Sequence, residues 1–71
     1  MATITPLDRL FVTVSQNGTT KMLAELTGVS SFADIVRYTR NHIAGLSGMT
    51  TFIIRNTTCG WSSRQSVLVR G

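Results

Sequence analysis

Cysteine, histidine and acidic residues are all scarce in this chain. There is one cysteine, Cys59, one histidine, His42, and three acids, Asp8, Glu25 and Asp34. A lone cysteine excludes an intrachain disulfide. No two of these five residues sit at ligand spacing such as C-x-x-C or H-x-x-x-H, so no metal is expected. Paired carboxylates, a glycine-rich phosphate loop and a G-x-S-x-G turn are missing as well. Cys59 and His42 are the only nucleophile–base pair available, they fall in different elements, and no third group orients them. An enzyme is therefore not expected, nor is a cofactor or a small-molecule substrate. The start, MATITPLDRL, lacks the basic opening and apolar run of a signal peptide. No stretch approaches the roughly 18 apolar residues that cross a membrane. With a free thiol, the expected location is cytoplasmic. The chain opens on Met1 and reads as a complete small gene product, with a subcloned domain as the alternative.

What is present is apolar and mildly basic. The 71 residues are 42% hydrophobic and only 14% charged, with a net charge of +4. That is too apolar for disorder, and low in charge for a free-standing soluble domain. A single domain of this size has a small core and marginal stability. With disulfide and metal set aside, oligomerisation remains as extra support. The positive balance suits a polyanion or an acidic protein surface, and also serves plain solubility.

Residues 1–8 read as a tail, closed by Pro6, and residues 9–71 as one domain. Two strand-like runs, 10–14 and 20–26, flank the turn SQNGTT. A two-residue turn at Asn17-Gly18 would pair Val14 with Lys21 and Val12 with Leu23. Lys21 and Glu25 would then share a face with Leu10, Val12 and Val14. A three-residue loop, Gln16-Asn17-Gly18, instead pairs Val14 with Thr20, Val12 with Met22 and Leu10 with Ala24, and is the register expected. The next segment, 32–46, is an amphipathic helix of about four turns, which Ser30 or Ser31 can cap; with Ser31 as cap, Asp34 is the third helical residue. Its apolar stripe is Phe32, Ile35, Val36, Thr39, Ile43 and Leu46. Strand-like runs 50–55 and 66–70 follow, joined by the polar stretch NTTCGWSSRQ, which is either a long loop or a continuation of the hairpin. The expected class is α+β: a two-layer ββαββ domain with one helix across one face of a four-stranded sheet. If the first and last strands form the central pair, the arrangement is β-grasp-like. The alternative is a plain antiparallel sheet with another strand order.

Alternation then separates the faces. Leu10, Val12, Val14, Met22, Ala24, Leu26, Phe52, Ile54, Val67 and Val69 point toward the helix. Phe11, Leu23, Ile53 and Leu68 fall on the opposite face, where they are expected to form one contiguous apolar patch. An open sheet face is usually polar, so such a patch marks an interaction site. The 56–65 loop, folded back over it, would be the structural alternative. Trp61 is expected in that loop, either as a contact anchor or as a cap on the core. The expected function is a protein–protein interaction module, most simply a homodimer with two sheets face to face. The alternative is nucleic-acid binding on the same face, with Phe11 stacking on a base while Arg9, Lys21, Arg55, Arg64 and Arg70 meet phosphates.

The last residues, SVLVRG, resemble the end of ubiquitin-like modifiers, in which a final strand runs out to an Arg-Gly-Gly tail. The resemblance covers five or six residues and the order of elements. It implies a β-grasp fold, but here only Gly71 follows Arg70.

Overall fold

A computed structural model describes residues 4–70. The elements run β1 (Leu10–Gln16), β2 (Thr19–Leu26), α1 (Phe32–His42), β3 (Gly48–Asn56) and β4 (Trp61–Val69). They build an α+β domain with a four-stranded antiparallel sheet and one helix. The strand order is β2-β1-β3-β4. The central pair is therefore β1 with β3, not the first strand with the last, and β4 lies at an edge. This is the plain antiparallel alternative, and it corrects the β-grasp expectation. LFV in β1 and VLV in β4 are both apolar on two faces, a pattern that suits central strands, yet of the two only β1 is central. Leu68 of β4 faces outward at an edge and is not buried by neighbours. The terminal Gly71 lies outside the described residues, as do residues 1–3.

The first hairpin turns at Asn17-Gly18, with Gln16 opposite Thr19. Both turn residues have positive φ, 52° and 77°, the signature of a two-residue type I′ turn. The expected three-residue loop is not formed. Its extra residue is placed further along: the register shifts between Ser15↔Thr20 and Val14↔Met22, so Lys21 is bulged out. The bulge restores the parity that a short turn alone would break. Val12 thus opposes Ala24 and Leu10 opposes Leu26, two positions away from the expected pairing but on the expected face.

Between the layers lie Leu10, Val12, Val14, Leu26, Val29, Ile35, Leu46, Phe52, Ile54 and Val69. Phe32 of the helix meets Phe52 of the sheet edge to face, with ring centroids 5.4 Å apart, a favoured aromatic geometry. Ser31 caps the helix, its hydroxyl accepting from the Asp34 amide at 3.3 Å. Asp34 in turn accepts from the Ser30 amide and hydroxyl, and these bonds hold its carboxylate below its usual range. The helix ends at His42, shorter than the expected 32–46. Leu46 still reaches the core from the turn that follows.

Residues 4–8, expected as a tail, fold onto the domain. Ile4 packs against the core and Asp8 is buried. The polar stretch after β3 is not a long loop: β4 begins at Trp61, opposite Asn56, and only 57–60 make the turn. No helix among the described residues is long and apolar enough to cross a membrane.

Candidate functional site

The helix-free face of the sheet carries four transverse rows of side chains. The first is Glu25, Phe11, Arg55 and Ser62; the second is Leu23, Thr13, Ile53 and Arg64; the third runs through Ser15, Thr51 and Ser66; the fourth is Met49 with Leu68. Adjacent rows lie about 7 Å apart. Phe11, Leu23 and Ile53 are thus neighbours. They are 45%, 74% and 38% exposed, and with Thr13 and Arg55 they line one shallow depression.

Leu68 does not join them. It sits two rows, about 13 Å, from Ile53, and the hydroxyl row Thr51–Ser66, bonded at 3.1 Å, lies between. The expected single patch is two patches. Met49 is the partner of Leu68, 62% exposed and directly opposite it. Met49 lies outside the strand-like run 50–55, but β3 begins two residues earlier, at Gly48.

Trp61 belongs to neither patch. It opens β4 in register with buried Asn56, which places it on the helix side, half-buried and packed against the core. It caps the end of the core and is not a loop anchor, so it does not fold back over the open face.

Cations frame the apolar trio. Arg55 stands beside Phe11 and Arg64 beside Ile53 in their rows. Arg9 precedes β1 and binds Glu25 at 3.2 Å. Lys21 projects from the bulge at the β2 edge, and Arg70 follows β4. The remaining charges, Arg37, Arg40, Asp8 and Asp34, cancel, so the chain's +4 is carried by these five cations less Glu25. On the helix, Arg37 is neutralised locally by Asp34 at 3.6 Å.

A second polar cluster closes one end of the sheet. Asn56 is wholly buried. Its amide nitrogen donates to Asp8 at 2.9 Å, and its side-chain oxygen accepts from the Thr58 and Cys59 amides at 3.0 and 2.9 Å. Asp8 also accepts from the Thr5 amide at 3.1 Å. The Asn56 bond, followed by that of Thr5, lowers the Asp8 carboxyl below its usual value. The Cys59 thiol leans on Asp8 at 3.7 Å. Desolvation and the adjacent carboxylate both push its pKa up, which holds it as the unreactive thiol. His42 is occupied elsewhere: its Nδ1 lies 3.0 Å from the Tyr38 carbonyl and its ring stacks on Tyr38 at 4.0 Å. The two groups thus have separate partners. The Asn56–Asp8 and Cys59–Asp8 contacts join the N-terminal lead-in to the β3–β4 turn, and the other bonds brace each side, which is the work of a structural clasp. Among the described residues no group of three or more His, Cys, Asp or Glu side chains could hold a metal ion.

No protein-family model, no curated protein and no solved structure matches this chain.

Proposed function

We propose that this protein is a non-enzymatic binding module whose helix-free sheet face docks an acidic partner protein. The observation that carries the reading is the coincidence of two features on one face. Arg55 and Arg64 stand in the same rows as the exposed trio of Phe11, Leu23 and Ile53, with Lys21 at the nearby β2 edge. Burying such side chains contributes roughly 1.5–3 kcal/mol each before association costs, while the cations around them steer and orient an acidic surface. Docking the same face onto a second copy would press like charges together, so a face-to-face homodimer is disfavoured.

A second reading rests on Phe11 alone. Its ring lies in one row with Arg55, an arrangement that suits a stacked base with its phosphate nearby. Single-stranded nucleic acid is then the occupant.

One pair of titrations tests both. Peptides selected from a random library, and a single-stranded oligothymidine, are added to the isotopically labelled protein across a salt series. The expected result is recovery of peptides with acidic residues around large apolar ones, shifting the Phe11, Leu23 and Ile53 resonances. Leu23→Asp weakens that binding at least about tenfold, a loss of roughly 1.4 kcal/mol. Binding of the oligonucleotide alone, with a steep salt dependence, replaces the first reading by the second. Shifts confined to another surface overturn both.

A further inference from the structure

We propose that β4 is a pairing edge that joins two copies of this chain into one continuous eight-stranded antiparallel sheet. The order β2-β1-β3-β4 leaves two edges, and they are built differently. The β2 edge is blunted in the ways that prevent strand addition: a bulge at Lys21, and charge at Lys21 and Glu25. The β4 edge has no bulge and fewer charges. Its nine residues run in unbroken register with β3, without proline, bulge or acidic residue, and with one cation, Arg64. A straight edge of this kind presents a full row of unpaired backbone donors and acceptors.

The side-chain pattern names the occupant. An antiparallel copy of β4 keeps helix-side residues together only if it is centred on a residue position. Centring on Arg64 sets the two Arg64 side chains directly opposite, which is unfavourable. Centring on Ser66 leaves Trp61 unpaired. Centring on Gln65 uses all nine residues and places no like charges opposite. Trp61 then faces Val69 and Ser63 faces Val67 on the helix side, while Leu68 faces Ser62 on the open side. The half-buried Trp61 and Val67 gain cover at the strand edge. The two-fold axis runs normal to the sheet, so both helices share one side. Both basic faces share the other, free and side by side.

The test is self-association of the full chain by sedimentation equilibrium up to about 1 mM, the range of weak complexes. The wild type is expected to dimerise. Gln65 is exposed, so Gln65→Lys and Gln65→Glu leave the fold intact by circular dichroism. Each places like charges opposite at the axis and weakens self-association about fivefold, the effect of such a pair. An equimolar mixture of the two variants restores a dimer, because the charges now attract. Leu23→Asp, on the open face, leaves self-association unchanged. A wild type that stays monomeric to 1 mM, a dimer indifferent to both Gln65 variants, a mixture that fails to restore it, or a dimer lost with Leu23→Asp would each overturn the proposal.

Discussion

The β1–β2 hairpin reverses at Asn17-Gly18 through backbone angles alone, whereas the β3–β4 hairpin reverses at 57–60 around a buried side chain. In the first, two residues of positive φ make the turn and a bulge at Lys21 then corrects the register. In the second, Asn56 accepts two turn amides with its side chain, and its backbone carbonyl accepts from the Gly60 amide at 2.8 Å. The same Asn56 holds Asp8, so that turn also anchors the segment before β1. The first hairpin is a local device. The second couples residues nearly fifty positions apart, and its loss is felt across the domain.

Asn56→Ala is therefore expected to have the largest effect. It removes three side-chain hydrogen bonds and strips a buried carboxylate of its main partner, at a cost of about 2–3 kcal/mol. The midpoint of urea denaturation reads that loss. The acid limb sharpens it. Asp8 and Asp34 both titrate below the ordinary aspartate value of 3.8 when folded. Their stabilisation is thus fully present above that pH and disappears as pH falls through the folded values. In Asn56→Ala the leading cause of the Asp8 shift is gone, so stability falls less steeply below pH 3.8 than in the wild type. An unchanged acid slope would show that the clasp contributes nothing through Asp8.

This contrast also marks what could be read from the residues. The two faces of the sheet were legible because alternation has a period of two, and burial holds each apolar set on one side regardless of turn length. Leu10, Val12, Val14, Phe52 and Ile54 are buried as that rule requires. Turn length was not legible. A bulge at Lys21 needs no special residue type, and it produces the same parity as a longer loop. Strand order was hidden for a related reason: VLV is apolar on both faces, yet β4 is an edge. The start of β4 was hidden by its polar run SSRQ, which an edge strand tolerates because water can satisfy it. The split of the apolar patch followed from register, since Leu68 pairs with Met49 and not with Ile53. Asn56 gave no signal at all. A buried asparagine is defined by partners far away in sequence.

Gly18→Ala tests the local device at its turn. A Cβ there meets nothing within 4 Å, so the only cost is a side chain at φ +77°, about 1 kcal/mol. A thermal melt detects it. A D-alanine placed at position 18 by chemical synthesis suits that backbone and is expected to match or exceed the wild type. Equal losses from both enantiomers would mean that the turn is held by something other than its left-handed backbone.

Deleting Lys21 is expected to change least, because it removes the irregularity together with the reason for it. Ser15↔Thr20 would then be followed directly by Val14↔Met22, as in an unbulged two-residue hairpin, and every later pair would keep its face. Stability should stay within about 0.5 kcal/mol of the wild type. Deleting Met22 shortens the strand equally but brings Lys21 opposite Val14 on the helix side, and it should cost clearly more. Cross-strand nuclear Overhauser contacts between positions 12 and 24 report the register in each variant. If the two deletions prove equally harmful, strand length and not face parity governs this hairpin, and the Lys21 bulge corrects nothing.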